Sequence, residues 1–459
     1  MSKASGRLRS ILGGVRTNYS IFNFTLLLLI VIVITEITFA RIQPFVQARW
    51  VIDYGLTIFI IVGLIYCVAQ FITLRTVKKR SKEIIEKPKL YFSYIHKGVA
   101  VGQYGLIAIF GIVILQILLL SYYDISLLIA AGYISYSLAI LSIGILSYRF
   151  LKWFRANKNF LILLFGLSSI VLAINALAGI VFINFTLQSL PSEISQHFAG
   201  TRPPIIASLL ARDIIYTSFL ASSTASFMLT WAATAVLLSY YIKRLRKAAF
   251  WAVLGIPLIF FLLQFPPLAT GLFYPLLESD PVLFNTIYAG FFSLSKPIGG
   301  VIFAISFWVM ARSFRGTNRI KNYLIFSGFG YLMIFVTNQA VVLTLVLYPP
   351  LGLSVISLVG LSSYLILIGI YASAITIAED SKLRNEIRKI AASKSGLLGS
   401  IGLAQLEQQL ESEVRAITRE HSDIIDKEAG LKPLSDEDEL KEYLEEVLRE
   451  RQQRQSSSL

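Results

Sequence analysis

Residues 353–378 read LSVISLVGLSSYLILIGIYASAITIA, and the chain turns charged at once in Glu379-Asp380-Ser381-Lys382. No residue of the quoted stretch carries a charge. Wound as an unbroken helix, a block of this length reaches about 39 Å, more than a bilayer's hydrocarbon core of about 30 Å. Inside lipid a backbone finds no water to bond to, so such a block must satisfy its own N–H and C=O groups, as a helix does. This stretch decides the class: an all-α, polytopic transmembrane helix bundle.

Working outward, blocks of the same kind recur at 21–40, 51–74, 98–120, 125–148, 160–183, 214–241, 248–266, 285–311 and 323–348, so ten spans are predicted. The positive-inside rule tests the count. Loops assigned outside carry only Arg41, Arg49, Arg202 and Arg212. Loops assigned inside carry dense clusters: Arg75 to Lys97, then Arg149 to Lys158, then Lys243 to Lys247, then Arg312 to Lys321. A missed or invented span would reverse every loop after it. The rule therefore predicts a cell-membrane protein with both termini cytoplasmic. The weakest span is 248–266, which Pro266-Pro267 interrupts; Leu268 to Leu277 reads as a re-entrant or interfacial piece. Pro203-Pro204 reads as the start of a short helix in the long outer loop.

Hydrophobic residues make up 55% of the chain and charged residues 15%, well below the quarter usual in soluble domains. The net charge of +15 is uneven. Residues 1–378 hold 29 Lys and Arg against 9 Asp and Glu; residues 379–459 hold 13 against 18. The cations sit at span ends, where anionic lipid headgroups attract them. The expected partner is the bilayer, with anionic headgroups at the inner loops, and not nucleic acid. Cys67 is the single cysteine, so no disulfide framework or thiolate metal site arises. Three regions follow: a basic cytoplasmic N-terminus at 1–20, the bundle at 21–378 and a helical cytoplasmic tail at 379–459.

In the tail, Lys382 to Lys394 is expected to prolong the last span until Ser395-Gly396 and Gly399 break it. A second helix over about 402–428 carries Leu403, Leu406, Leu410, Val414, Ile417, His421 and Ile424 on one stripe. A third begins at a capping box of Ser435 and Asp438 and carries Leu440, Tyr443, Leu444, Val447 and Leu448. Residues 402–448 are thus a candidate surface for a cytoplasmic protein partner; the oligomeric state is open.

Gly360-Leu361-Ser362-Ser363-Tyr364 and Gly369-Ile370-Tyr371, followed by the charged Asp380 to Lys389, resemble an uncharacterised family of archaeal multi-spanning membrane proteins. The resemblance covers mainly the last span and the tail. It implies that the two form one unit, and it implies no activity.

Chemical motifs are few. His96, His197 and His421 stand apart from one another and from Cys67, so no zinc spacing exists. No HExxH, P-loop or dinucleotide fingerprint occurs. No catalytic residue, cofactor or metal is expected. Lys296 stands out near the middle of the 285–311 span, followed by Pro297. A cation at that depth costs at least about 2.5 kcal/mol and is usually paired or hydrated. Glu36, about 9 Å outward of the first span's midpoint at 1.5 Å per residue, is the obvious carboxylate partner. By depth, Glu36, Gln116, Asn175, Gln264, Asn338 and Gln339 fall in the outer half, with Thr217, Ser218, Ser222, Ser223 and Thr224; Gln70 and Gln103 lie in the inner half. The candidate ligand or ion site is therefore Lys296, Glu36, Asn175, Asn338 and Gln339, an outward pocket floored by Lys296. The plain alternative is interhelical hydrogen bonding. The matching broken helices of an inverted-repeat transporter are not visible: Pro297, Gly299 and Gly300 interrupt one span without a counterpart.

Two functions remain. One is a non-enzymatic sensor or interaction protein that couples the bundle to its tail. The other is a secondary transporter or channel with a midplane site at Lys296. An intramembrane enzyme lacks an acid or nucleophile constellation.

Overall fold

The computed structural model describes residues 2–42, 49–81, 92–195, 210–241, 247–264, 275, 278–314, 318–381, 384 and 396–429. The helices are α1 (Ser2–Ile42), α2 (Arg49–Arg80), α3 (Phe92–Leu120), α4 (Ile125–Asn157), α5 (Phe160–Leu187), α6 (Leu210–Tyr241), α7 (Lys247–Leu263), α8 (Pro281–Phe292), α9 (Ser295–Ser313), α10 (Asn318–Thr337), α11 (Ala340–Leu345), α12 (Leu353–Ser357), α13 (Val359–Glu379) and α14 (Leu397–Ala429). Two short strands, β1 (Tyr122–Asp124) and β2 (Glu193–Ser195), pair antiparallel, with Tyr123 opposite Ile194. Among the described residues nine stretches are long and apolar enough to cross a membrane. The helix at the predicted seventh span, α7, is shorter at 17 residues and holds Pro257. The Leu268 to Leu277 piece (Pro275 apart), the Pro203-Pro204 helix start, the Lys382 to Lys394 extension (Arg384 apart) and the 435–448 helix lie outside the described residues.

The layering follows from which helices carry small residues. The apolar window of the last span, α12 and α13 together, is wholly buried, and that of α10 and α11 nearly so. Leu and Ile on the outer helices face outward instead: Leu27 and Val31 on α1, Leu64 and Val68 on α2, Leu115 and Leu118 on α3, Ile174 and Leu177 on α5. An apolar exterior around an apolar interior is what lipid as solvent permits. Helices in lipid associate through close packing, which small residues allow. Gly330 and Gly369 supply that closeness where α10 crosses α13: a Cβ on Gly330 would lie 2.8 Å from the Ile366 nitrogen, and one on Gly369 2.6 Å from the Ser327 nitrogen.

Caps fix the helix starts. Asp124 accepts from the Ser126 N–H at 2.9 Å and opens α4; Asn159 accepts from Leu161 at 2.9 Å and opens α5; Asp280 accepts from Val282 and Leu283 and opens α8. The β1–β2 ribbon marks one end of the bundle. The tail helix marks the other, since α14 packs against α4, α5 and α13.

The tail docks differently from its predicted stripe. The helix begins at Leu397, and Leu397, Leu398, Ile401, Ala404 and Gln405 are buried while Leu403 is 47% exposed. Gln405 accepts from the Trp153 indole at 3.1 Å, and Ser400 accepts from Asn157 and Asn159. The first turns answer to the polar end of α4, so the docking face is set by Ser400 and Gln405 as much as by leucines. Side chains beyond Val414 lie outside the described residues. Gly402 lies against Ile377, whose Cβ would be 2.8 Å from an added methyl. Gly402→Leu is expected to lift α14 from α13. Limited proteolysis would cut the variant between 380 and 400 several-fold faster than the parent; equal rates would show that the contact does not hold the tail.

Candidate functional site

Three apolar stretches that the sequence presents as single spans are broken in the structure. The turn Ser293-Leu294 separates α8 from α9. Asn338-Gln339 separates α10 from α11, with Gln339 at φ −133° and ψ 69°. Leu358 separates α12 from α13. The first two breaks, together with polar residues of α1, α5 and α6, form one connected polar cluster toward the ribbon end.

Lys296, the second residue of α9, donates to the Ser223 hydroxyl at 2.8 Å, and its Nζ lies 6.0 Å from the Phe219 ring centre. One residue away on α6, Ser222 accepts from Asn175 Nδ2 at 2.9 Å, and so does the Phe219 carbonyl. Asn175 in turn accepts from Asn338 Nδ2 at 2.7 Å. Gln339, next along the α10–α11 break, accepts from Arg41 Nη2 at 2.9 Å. At the α8–α9 break Ser293 and Thr38 share a hydrogen bond of 2.9 Å, and Ser295 donates to Gln264 Oε1 at 3.0 Å. Four of the five residues singled out from sequence, Lys296, Asn175, Asn338 and Gln339, thus take part in hydrogen bonds that adjoin one another along α6 and at the α10–α11 break.

Glu36 does not. Its carboxylate is fully buried and accepts from the Gly352 N–H at 2.7 Å and from the Ser354 hydroxyl. The expected Lys296–Glu36 pair is therefore replaced by two separate contacts. Helix geometry explains the separation. Thr38 and Arg41 face α8 and the α10–α11 break, whereas Glu36 is turned about 200° from Thr38 at about 100° per residue. It looks instead toward the turn that precedes α12, where Gly352 at φ +101° starts that helix. Gln116 also lies apart: it accepts from the Asp124 N–H beside the ribbon.

Arg41 is the member of this cluster that sequence reasoning passed over. It ends the first span, so it reads as an interfacial residue, and nothing in its neighbourhood marks the fold of α1 back against Gln339. The guanidinium lies within electrostatic range of Tyr216, Tyr288 and Lys296. Both cations contact neutral groups, Ser223 and Gln339, and no Asp or Glu among the described residues pairs with either.

Toward the tail end the cluster meets a layer of aromatic rings. Phe227 stacks on Phe261 at 3.8 Å between ring centres and meets Phe303 and Phe335 edge-on. Gly299 leaves the space that Phe227 fills. Each of these rings lies about one or two helical turns from a cluster residue (Ser223, Gln264, Lys296 or Gln339), on the tail side of it. Asn338 Oδ1 and, next to it in the chain, Thr337 Oγ1 are buried without a partner among the described residues. Buried polar atoms of this kind are normally satisfied, so these are groups that a bound solute or water would complete.

The remaining polar residues lie apart from this cluster. His96 shares a 2.6 Å hydrogen bond with Tyr364, inside the α3–α13 contact. Gln70 and Gln103 are fully buried on α2 and α3, and neither amide finds a partner among the described residues. Asn184 stays within α5 and Thr186 is buried, so this Asn-Phe-Thr sequon lacks the exposed loop that glycosylation requires. No group of three His, Cys, Asp or Glu able to hold a metal occurs among the described residues.

No known protein family, curated protein or solved structure matches the chain.

Proposed function

We propose that the protein is a secondary transporter or channel whose solute site is the polar cluster at Lys296, Asn175 and Asn338, open toward the ribbon end and sealed toward the tail end by the Phe227 layer. The observation that carries the reading is the meeting of two interrupted helices, at Ser293-Leu294 and at Asn338-Gln339, in one polar cluster. Non-helical backbone at membrane depth is tolerated only where it is buried in protein or lines a water-filled cavity. In many transporters discontinuous helices form the solute site. The breaks lie in neighbouring spans and not in two corresponding halves, so an inverted repeat is not part of the proposal. The loop charges orient the ribbon end outward and the tail inward.

Water access to position 296 tests the reading. Lys296→Cys is made with Cys67→Ser and labelled in intact cells with a neutral, membrane-impermeant thiol reagent; a permeant reagent is the control. Labelling from outside is expected. Protection from the impermeant reagent, with the permeant one reacting, would show that no aqueous path reaches the site and would end the transport reading.

A second reading rests on α14. This helix is docked on α13, which begins beside the Glu36-bound turn and so joins the site end of the bundle to the tail. A sensor that couples a bound solute to the tail uses the same site. Removal of 396–459 separates the two: flux that survives in a folded, truncated protein leaves the tail without a role in transport.

A further inference from the structure

We infer that the solute taken by this cluster carries an oxyanion, a carboxylate or phosphate group held between Arg41 and Lys296. The inference rests on the site proposed above and names the chemical class that the site accepts.

The argument is one of charge. Arg41 and Lys296 both reach the breaks flanking the Thr38–Ser293 contact and lie within electrostatic range of each other. Arg41 stands about one turn from Thr38 on α1, and Lys296 lies three residues past Ser293, across the α8–α9 turn. Each uses one donor on a neutral oxygen, Gln339 Oε1 or Ser223 Oγ. A guanidinium offers five donors and an ammonium three, so both keep donors to spare. Neutral dipoles do not cancel a charge, and two like charges in a medium of low dielectric repel. The carboxylate nearest in sequence to either cation along α1, Glu36, is fully engaged with Gly352 and Ser354. The positive end of the α9 dipole adds to the same sign, with no side-chain cap on that helix. A cationic or neutral solute would leave this field uncompensated. An oxyanion answers it: the planar arginine fork takes two oxygens and the lysine a third contact. The Asn338 amide, once its orientation adapts, and the hydroxyls of Ser222 and Ser223 supply neutral contacts around it.

Two sources share this chemistry: a water-soluble oxyanion, and the headgroup of an anionic lipid entering from the outer leaflet. The test keeps both cations in place. Ser222→Cys is made with Cys67→Ser, the protein is placed in nanodiscs of phosphatidylcholine, and the rate of modification by a neutral impermeant thiol reagent is followed. Inorganic phosphate and acetate are expected to slow the reaction by the factor 1 + [L]/Kd, about elevenfold at ten times Kd. Tetramethylammonium at the same ionic strength should not. The double variant Arg41→Gln with Lys296→Met should still be labelled and should lose the protection. Nanodiscs containing phosphatidylglycerol decide the source: protection there without added phosphate assigns the oxyanion to a lipid. Labelling that no oxyanion slows, in either lipid, overturns the inference and leaves the solute site standing. No labelling at all overturns the site and the inference with it. Should Ser222→Cys not fold, the thermal midpoint of the unaltered chain in phosphate replaces the rate. A rise absent from the Arg41→Gln, Lys296→Met protein is then the expected result, and an equal rise in both, the general salt effect, the overturning one.

Discussion

Gly369→Val is expected to leave no folded bundle in detergent, and Gly369→Ala to cost about 3 kcal/mol, at the upper end of the overpacking range. The reason lies where α10 and α13 cross. A Cβ on Gly369 would stand 2.5 Å from the Tyr323 carbonyl oxygen and 2.6 Å from the Ser327 nitrogen. These are backbone atoms of a neighbouring helix, so no rotamer change relieves the clash. The two helices must part, and α13 is the buried centre on which α4, α10 and α14 all pack. Gly105→Ala is the control, because nothing lies within 4 Å of a Cβ there. Alanine in an open helical position gains about 0.5–1 kcal/mol over glycine. Size-exclusion profiles and thermal midpoints of the three variants check the order. A Gly369→Ala protein as stable as its parent would mean that α10 and α13 do not approach this closely.

How far the fold was legible follows from the same residues. The uncharged run 353–378 and its companions announce helices because lipid allows little else, and the loop charges give an expected orientation without any tertiary knowledge. The breaks were harder. Pro297, Gly299 and Gly300 are visible signals, yet the chain turns earlier, at Ser293-Leu294, where no residue forbids a helix. Asn338-Gln339 holds neither proline nor glycine. Partners at these breaks come from Thr38, Asn175 and Arg41, which belong to helices far away in sequence. Depth alone gathered Asn175, Asn338, Gln339 and Lys296, because depth follows from counting residues along a span. Azimuth does not follow until the neighbours are known, and Glu36 was lost on azimuth. Arg41 was missed for the converse reason: at a span end a cation looks at home.

Glu36→Leu is expected to destabilise the bundle by roughly 2–5 kcal/mol, although it exchanges a buried acid for an apolar side chain of similar size. Burying leucine is favourable, but the exchange leaves the Gly352 N–H and the Ser354 hydroxyl inside the protein without their acceptor. Each orphaned group costs about 1–3 kcal/mol. Glu36→Gln keeps an amide oxygen for Gly352 and a group able to face the Ser354 hydroxyl, so most of the stability should return. Ser354→Ala in the Glu36→Leu background removes one orphan, so the double variant should lose less than the sum of the two single losses. Strict additivity would show that the Ser354 contact contributes nothing. A further readout separates this role from a charge partner of Lys296. If Glu36 serves only the turn before α12, Glu36→Gln leaves thiol modification at positions 222 and 296 at the parent rate. A change of several-fold would place its charge in the solute site after all. The expected result, a stability loss without a change in access, makes Glu36 the acid that holds the α12 turn in place, separate from Arg41 and Lys296.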